Sequence, residues 1–375
     1  MGDVSWRQPW YARLWGSQTP SLWLRLGLSP LWLASLGYGA LAQGHRASYT
    51  LGLRQRHRLP CPVISIGNLT MGGTGKTPLT MWVARWYQQQ GWRVAVLSRG
   101  YRAHARTAVR VVSTGEGPLC PWQEAGDEPY LLACALPGVA VLIGTQRHRT
   151  GRYAYEQLGA EVLILDDGLQ HHAVHRDLDI VLIDVSNPFG SGSLVPRGIL
   201  RESPRALQRA DAIVLTRVEM AGTRLPALEQ QIRRWAPQQP LYHMRTTLMA
   251  LQAHDTGAAC APGTLRQQRV VAFAGIGNPQ AFYHTLTSLG VEVAAFLVFP
   301  DHHPYTRADW QALVDTLYHQ RATCLVTTEK DAVRLDPCWH TAVPLFTVRI
   351  GVTFTAETPS LAQQLHETMA YATPR

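Results

Sequence analysis

A glycine-rich turn, set between an apolar segment and a helical pattern, constrains this chain more than any other feature. Residues 71–78 read MGGTGKTP; they follow the apolar run 63–66 and precede apolar positions at helical spacing in 79–86. Glycines let backbone N–H groups face a phosphate, and a helix N-terminus adds positive potential. The turn therefore predicts a phosphate-binding loop, in which Lys76 reaches the terminal phosphates and Thr77 is available to Mg²⁺.

One position departs from the usual pattern of such loops, G-x-x-x-x-G-K-[ST]. Thr70 stands where the first glycine is expected. The run from Gly72 to Thr77 compensates for this departure, because it keeps the glycines, the lysine and the hydroxyl that the chemistry requires. Pro78 also suits the first turn of a helix, where its missing N–H is not needed.

From residue 62 onward, short apolar runs alternate with helical stretches, which is the pattern of βαβ units and a parallel sheet. The predicted strands of a first lobe are residues 63–66, 93–97, 140–143, 162–165, 180–184 and 212–215. The fold class is therefore α/β, with a P-loop NTPase-like, mostly parallel sheet at its core and a second, smaller α/β lobe. We predict three regions: an N-terminal segment (1–60), a core (61–239) and a second lobe (240–375) that includes a C-terminal helix. A two-stranded β-ribbon, residues 240–251 and 344–354, would join the lobes.

The net charge of +9 is concentrated at the N-terminus of the chain. Residues 1–60 hold seven arginines against Asp3 alone, and also five of the twelve tryptophans. Arginine and tryptophan around an apolar run are typical of a membrane interface. The run itself, residues 26–41, is short for a spanning helix and contains Pro30. We predict a membrane-associating helix that lies in the interface; the alternative is a helix packed on the protein's own core.

Two acidic residues end a predicted strand of the first lobe. Asp166 and Asp167 follow the apolar run 162–165, and carboxylates at the carboxyl edge of a parallel sheet can organise Mg²⁺ near the phosphates. Capping of the next helix is the alternative. The neighbouring His171 and His172 do not predict a zinc site, since no cysteine lies at ligand spacing.

Two further groups are less specific. Asp127 and Glu128 lie in a predicted loop before a helix, where they would act as helix caps or supply a general base. His302 and His303 follow a strand of the second lobe, as a surface turn or as part of a site. Lys330 is one of only two lysines in a chain with 33 arginines. It orients carboxylates, contacts a ligand or forms a structural ion pair at a strand end.

Several segments together resemble the tetraacyldisaccharide 4'-kinase family, the lipid A 4'-kinases of Gram-negative bacteria. They occur in the family's order and cover nearly the whole chain: SIGNLTMGGTGKTP, SRGY, GDEP, DDGLQHH, DIVLID, PRGILRE, GIGNP, FPDHH and TTEKDAVRL. The resemblance implies ATP-dependent phosphorylation of the 4'-hydroxyl of an acylated glucosamine disaccharide 1-phosphate lipid, forming lipid IVA. It also implies Mg²⁺ and work at the cytoplasmic face of the inner membrane. No obligate protein partner is evident.

The resemblance also implies roles for individual residues. The ATP phosphates would lie on Thr70, Met71, Gly72, Gly73, Thr74, Gly75, Lys76 and Thr77. Mg²⁺ would be organised through Thr77, Asp166 and Asp167, with Asp127 as the base and His302 beside it in preference to His303. Further family positions that would surround the nucleotide, metal or acceptor are Glu128, Gln170, His171 and Glu202.

Other classes of protein explain less of the chain. A GTPase or metal-delivery protein with a similar loop would need a guanine-reading N-K-x-D segment, and residues 328–331 lack the asparagine. A nucleic-acid-stimulated ATPase would explain the positive charge, but nothing resembling an RNA or DNA module is visible, so we expect no nucleic-acid partner. Six scattered cysteines without a C-x-x-C pair favour a reducing compartment.

Overall fold

The structure, a computed structural model, describes residues 29–101, 103, 108–336, 338–339, 343–355 and 360–372. These residues form two compact units. The smaller unit is Thr246–Val352, and the larger unit contains the described residues up to Arg245 and from Thr353 onward. The predicted anchor begins at residue 26, so its first residues lie outside the described part of the chain.

The larger unit is built from alternating strands and helices. In chain order its elements are α1 (Ser29–Thr50), β1 (Val63–Asn68), α2 (Lys76–Gln89), β2 (Val94–Ser98), β3 (Arg110–Ser113), α3 (Trp122–Ala125), α4 (Asp127–Ala135), β4 (Ala140–Ile143), α5 (Arg147–Leu158), β5 (Val162–Asp166), β6 (Leu178–Asp184), β7 (Ala212–Thr216), α6 (Leu225–Trp235) and the start of β8 (Leu241–Ala253). All six strands predicted for this lobe are present.

The sheet of the larger unit is mostly parallel, in the order β7-β6-β1-β5-β2-β4-β3. Every residue of β1, β5 and β6 is buried, as expected for central strands covered by helices on both faces. The exception to the parallel arrangement is β3, which pairs antiparallel with β4 at the edge of the sheet. This strand was not predicted, because its four residues, RVVS, contain only two apolar side chains. The prediction of a mostly parallel α/β sheet is confirmed.

The strands of the smaller unit are also mostly parallel. Its elements are the rest of β8, β9 (Ala259–Cys260), β10 (Arg269–Ala274), α7 (Pro279–Ser288), β11 (Glu292–Val298), α8 (Arg307–His319), β12 (Cys324–Thr328), α9 (Glu329–Ala332) and most of β13 (Leu345–Phe354). Strands β11, β10, β12 and β13 are neighbours in that order and run parallel. The long strands β8 and β13 correspond to the two predicted ribbon segments and pass from one unit into the other.

The C-terminal helix α10 (Leu361–Ala372) packs in the larger unit rather than in the second lobe, to which the sequence pattern assigned it. Leu361, Leu365 and Met369 recur every four residues and are all buried. The fully buried Tyr87 of α2 donates a hydrogen bond from its hydroxyl to the carbonyl of Leu365, at 3.0 Å. This helix therefore returns to cover the sheet of the larger unit, a contact that local periodicity does not specify.

Helix α1 has one docked face and one exposed face. Its Ser35 hydroxyl donates to the Leu194 carbonyl (2.9 Å) and accepts from the Arg197 N–H (3.1 Å). A Cβ on Gly39 would lie only 2.8 Å from a methyl of Leu194, so a larger residue here would require the Leu194 side chain to shift. The rest of the helix surface exposes four large apolar side chains, those of Trp32, Leu33, Leu36 and Leu41. Among the described residues, no helix is both long enough and apolar enough to cross a bilayer.

Candidate active site

The glycine-rich turn connects β1, which ends at Asn68, to α2, which begins at Lys76. Gly75 adopts a φ of 88°, in the left-handed region that favours glycine. The end of β7 holds the turn in place: the Thr216 hydroxyl donates to the Thr74 carbonyl, and the Arg217 guanidinium donates to the Gly73 carbonyl, both at 2.9 Å. These two contacts fix the loop against the sheet.

Lys76 directs its ammonium group toward acceptors at the carboxyl edge of the sheet. Its Nζ lies 3.1 Å from Oδ1 of Asn68 and 3.6 Å from Oδ1 of Asp167, and its side chain is 11% exposed. The lysine at the start of α2 and an acid at the end of β5 are thus brought together, as predicted for a nucleotide-phosphate and metal site at this edge.

The two acids at the end of β5 have different surroundings. Asp166 is buried, and its carboxylate accepts long hydrogen bonds from the hydroxyls of Thr80 (3.5 Å) and Ser98 (3.4 Å). Asp167 is partly exposed, and Nη1 of Arg201 donates to both of its oxygens, at 2.9 and 2.8 Å. Asp167 also has a φ of 55°, so the chain turns sharply between the strand and the following segment.

These surroundings move the two pKa values in opposite directions. Burial is the main cause that raises the pKa of Asp166 well above its ordinary value, and the neighbouring carboxylates of Glu128 and Asp167 add to it. Burial would also raise the pKa of Asp167, but Lys76 and Arg201 outweigh this effect and bring it to about 2. The negative charge of an ionised Asp166 is therefore not fully balanced by the cations of the protein. Such a carboxylate is suited to face an added cation.

We expect Asp166→Asn to stabilise the ligand-free protein at pH 8 by about 3 °C in unfolding temperature. A carboxyl whose pKa is raised by folding costs stability once pH exceeds its unfolded value of about 4, and asparagine removes that cost. The gain should shrink as pH falls to 5. Thermal unfolding at both pH values measures the difference.

Asp167→Asn is the matched control for this prediction. Because the pKa of Asp167 is lowered by folding, its ionised form stabilises the protein above the unfolded pKa, and asparagine should lower the unfolding temperature at pH 8. Equal shifts of the same sign in both variants would contradict the assigned environments.

A second layer of polar contacts supports the acids. Gln170 donates from Nε2 to the Asn68 carbonyl (3.2 Å) and to Glu202 (3.1 Å), and its Oε1 accepts from Arg201 at 3.4 Å. Glu202 is in turn held by Arg209 through two hydrogen bonds of 2.7 Å. Lys76, Asn68, Asp167 and Arg201 contact one another and are called the Lys76 cluster. Gln170 and Glu202 are hydrogen-bonded to this cluster and help to fix its geometry.

Asp127 and Glu128 occupy the first turn of α4 instead of the predicted loop before it. Asp127 is 5% exposed, and its Oδ1 accepts a hydrogen bond from the N–H of Glu128 at 3.0 Å. Gly126, with a φ of 87°, allows the tight entry into the helix, since a Cβ there would lie 2.8 Å from the carbonyl oxygen of Tyr101. Glu128 is close enough to Asp166 to raise its pKa, so the start of α4 lies near the acid at the end of β5.

His171 lines a different part of this unit. It borders an open cavity of about 390 Å³, together with His57, His148 and Arg54. Burial, and then the nearby Arg147, lower the pKa of His171 to about 3. The side chains of Gln170 and His171 therefore point to different places. The neutral imidazole of His171 faces the cavity, and the amide of Gln170 faces the Lys76 cluster.

In the smaller unit, the structure distinguishes His302 from His303. Nε2 of His303 lies 3.0 Å from Oδ2 of Asp309, and its ring stacks on Phe299 at a centroid distance of 4.9 Å. His303 is thus occupied in joining the loop to the start of α8. His302 instead has a left-handed φ of 60°, and its Nε2 lies 3.7 Å from Oδ2 of Asp301.

Sequence reasoning missed the arginines of the site, two of which contact the acids at the end of β5. Arg201 lies within the PRGILRE segment and adjoins Glu202, so its position in that segment was an available signal. Arg147 is 4% exposed, and its Nη2 donates to the Asp166 carbonyl at 3.3 Å. It begins α5 after β4, and no motif marked it. Its place beside Asp166 follows only from the strand order of the sheet, in which β2 pairs with β4 on one side and with β5 on the other.

The acids fit a Mg²⁺ ion that is shared with a nucleotide. Within the part of the chain that the structure describes, no three His, Cys, Asp or Glu side chains form a cluster that would hold a metal. Mg²⁺ needs no such cluster in nucleotide sites, because one or two carboxylates and the substrate phosphates suffice. The buried Asp166, whose pKa is raised mainly by burial and further by the carboxylates of Glu128 and Asp167, has the chemistry of such a ligand.

Comparison with protein families gives one match over most of the chain. The sequence model described as tetraacyldisaccharide-1-P 4'-kinase matches residues 28–370. Among curated proteins, the tetraacyldisaccharide 4'-kinase of Anaeromyxobacter dehalogenans (strain 2CP-C) is 46% identical over 327 residues, covering 86% of this chain and 85% of the relative. The kinase of the same name from Anaeromyxobacter sp. (strain Fw109-5) is 42% identical and covers 96% of each chain.

A solved structure also resembles this chain. The crystal structure of LpxK from Aquifex aeolicus in complex with ATP has a TM-score of 0.73 and 32% sequence identity. The match covers 92% of this chain and 99% of that one. The similarity therefore extends over both units and not only over the glycine-rich turn.

Proposed function

The chain belongs to the tetraacyldisaccharide-1-phosphate 4'-kinase family, and from this premise we propose that the cluster around Lys76 is its phosphoryl-transfer site. The protein is an ATP-dependent kinase that phosphorylates the 4'-hydroxyl of a tetraacyldisaccharide 1-phosphate. The observation that carries the proposed site is the approach of Lys76 Nζ to within 3.6 Å of Asp167, beside the glycine-rich turn.

The proposed roles follow from the charge that develops during phosphoryl transfer. A loose transition state needs in-line alignment and neutralisation of charge more than covalent help. We assign the backbone N–H groups of residues 70–77 to the ATP phosphates and Lys76 to the terminal ones. Thr216 and Arg217 support this assignment, because they hold the turn rigid and so reduce reorganisation during the reaction.

Thr77, Asp166 and Asp167 are the proposed protein ligands of Mg²⁺. When bound with ATP, the ion would neutralise charge on the phosphate oxygens. Arg201 holds Asp167 in one orientation through both carboxylate oxygens, and Glu202, Gln170 and Glu128 surround the pair. The last three residues are proposed to orient the nucleotide, the metal or the acceptor, and His171 is proposed to contribute from the neighbouring cavity.

Asp127 is the proposed general base for the 4'-hydroxyl. It is a buried carboxylate at the start of α4, next to Glu128, which acts electrostatically on Asp166. A sugar hydroxyl must lose its proton as the new O–P bond forms, and a positioned carboxylate can accept it. His302 is proposed for the same step from the sequence resemblance, and the engagement of His303 with Asp309 favours His302 over its neighbour.

The activity is tested by incubating the purified full chain with labelled ATP, Mg²⁺ and tetraacyldisaccharide 1-phosphate in detergent micelles. We expect the label to appear on the lipid, with turnover that requires all three components. ATP or GTP hydrolysis with no labelled lipid would instead favour the GTPase-like alternative.

Helix α1 is proposed to bring the enzyme to the cytoplasmic surface of the inner membrane. An acceptor with four acyl chains leaves a bilayer only at high cost, about 0.8 kcal/mol per exposed CH₂ group. The exposed face of α1 carries Trp32 (49% exposed), Leu33 (64%) and Leu36 (52%). Buried apolar area and interfacial tryptophan are the features that hold a helix in the interface.

We expect the double substitution Leu33→Gln/Leu36→Gln to weaken binding to anionic lipid vesicles by about tenfold or more. Burying a leucine is worth about 1.5–3 kcal/mol, so losing two should exceed one decade in partitioning. Vesicle co-sedimentation measures the change. Leu119→Gln, at a site that is 62% exposed and outside α1, is the matched control. Equal binding by the double variant and the wild type would refute the proposed role of this face.

A further inference from the structure

Lys330 is the second of the chain's two lysines, and the phosphoryl-transfer site proposed above does not use it. It lies in the short helix α9, directly after β12 of the smaller unit. Its side chain is 17% exposed, which is low for a lysine. An ammonium group that is so far removed from water needs a specific counter-charge.

That counter-charge is Asp301, which lies between Lys330 and His302. One carboxylate oxygen of Asp301, Oδ1, is 3.5 Å from Nζ of Lys330, and the other, Oδ2, is 3.7 Å from Nε2 of His302. Oδ1 is buried and accepts no hydrogen bond from the described residues. The lysine is therefore the cation placed to balance this oxygen, while the second oxygen remains directed to the imidazole.

The backbone around these three residues is held through Gly275. The N–H of His302 donates to the Gly275 carbonyl at 3.1 Å. The Gly275 N–H donates to the buried carboxylate of Asp331, the residue after Lys330, at 2.8 Å. A Cβ on Gly275 would lie 3.0 Å from the Pro300 carbonyl, so the segments are closely packed. The loop that carries His302 and the helix that carries Lys330 are thus both tied to Gly275 by hydrogen bonds.

Further contacts make this arrangement around Gly275 rigid. Asp331 is fully buried and accepts hydrogen bonds from the hydroxyls of Tyr305 (2.8 Å) and Thr328 (2.6 Å). Arg334 pairs with the same carboxylate and donates to the Gly275 carbonyl at 2.9 Å. His302 keeps a left-handed φ of 60° in these surroundings. A non-glycine residue holds such a conformation only where its neighbours over-determine it.

We infer that Lys330 is a positioning residue of the kinase: it holds the Asp301 carboxylate, which in turn orients the His302 ring. The inference rests on the proposed role of His302 in the transfer step. Without the ammonium group, Asp301 keeps an unbalanced buried oxygen and is free to turn from the imidazole toward other donors or water. The ring then loses its fixed orientation, while the nucleotide contacts in the larger unit are unchanged.

The test is a double-mutant cycle in the full-length enzyme. We expect Lys330→Met to lower kcat by about 10-fold to 100-fold and to change the KM for ATP by less than about twofold, because only the oriented imidazole is lost. Lys330→Arg keeps the charge and should recover most of the loss. In a His302→Ala background, Lys330→Met should add less than about twofold, since residues that act through one group are not additive.

Arg349→Met is the matched control. Arg349 pairs with Glu329, the neighbour of Lys330, at 2.8 Å, so this variant removes a cation and an ion pair from the same region. It should leave kcat within about twofold of wild type. Thermal unfolding of each variant verifies that the smaller unit remains folded.

The outcomes separate the inference from the function on which it rests. A slow His302→Ala variant with Lys330→Met near the wild-type rate would overturn the positioning role alone. Additive losses in the double variant, or a kcat loss from Arg349→Met equal to that from Lys330→Met, would also overturn it by indicating a structural effect. A His302→Ala variant at the wild-type rate would remove His302 from the chemistry, and the inference with it.

Discussion

Lys76→Met should lower kcat/KM for lipid phosphorylation by about a thousandfold or more. The ammonium is 11% exposed and lies 3.6 Å from Asp167, at the edge where β5 ends. Methionine keeps the length of the side chain but removes the charge that opposes Asp166 and Asp167. The ATP phosphates would then meet two carboxylates without the positive charge of this lysine. Initial rates with varied ATP measure the effect, and the larger part should be in kcat.

The appropriate control for Lys76→Met is Arg85→Met in the same helix. Arg85 is a cation on α2 that donates to the Ala135 carbonyl at 3.0 Å, away from the acids. Its removal should change turnover by less than about threefold. Retention of more than a tenth of wild-type kcat/KM by Lys76→Met would contradict the assignment of this lysine to the phosphates.

Asp127→Asn should reduce kcat by about 10²-fold to 10⁴-fold and leave the KM for ATP close to the wild-type value. Asparagine is nearly isosteric and preserves the oxygen that accepts from the N–H of Glu128. It cannot accept the proton of the 4'-hydroxyl. The loss should therefore appear in the transfer step rather than in nucleotide binding or folding.

Glu156→Gln provides a comparison for Asp127→Asn, since it removes an acid on α5 that is 52% exposed and pairs only weakly with Arg152 at 3.6 Å. Steady-state kinetics with saturating ATP, together with thermal unfolding, distinguish a lost base from a damaged fold. An Asp127→Asn enzyme that turns over within threefold of wild type would exclude this residue as the base.

The opposite environments of Asp166 and Asp167 suggest different roles for these two adjacent acids. Asp167 is held ionised by Lys76 and Arg201, with a pKa near 2, and stays a rigid carboxylate throughout. Asp166 is buried among like charges and gains most from an added cation. Binding of the metal and nucleotide would thus relieve the electrostatic cost of ionising the buried Asp166.

The parts of the site that are contiguous in sequence were predictable. The loop of residues 70–77 lies between a strand and a helix that adjoin it in the chain, so one contiguous segment carries both its motif and its local geometry. The acids at the end of β5 were predictable for a related reason: parallel strands bring their carboxyl ends to one edge, and an apolar run that ends in acids marks that edge. Both features depend on local pattern and on one general rule of sheet topology.

Contacts made by distant segments were not predictable in the same way. Arg147 reaches the Asp166 carbonyl, and Arg217 reaches the glycine-rich turn, although neither lies in a segment that suggested a role. Helix α10 shows the same limit, because its apolar spacing established a helix with one buried face but not which unit would bury it.

The amino-acid sequence alone determined the α/β class, the position of the glycine-rich turn between β1 and α2, the acids at the end of β5 and the kinase family, because each depends on short-range pattern or on motifs in a fixed order. Only the tertiary structure decided that His303 is engaged by Asp309 while His302 faces Asp301, and that the pKa values of two adjacent aspartates move in opposite directions. Burial and charge at a side chain are set by residues remote in the chain, and their positions are known only once the chain has folded.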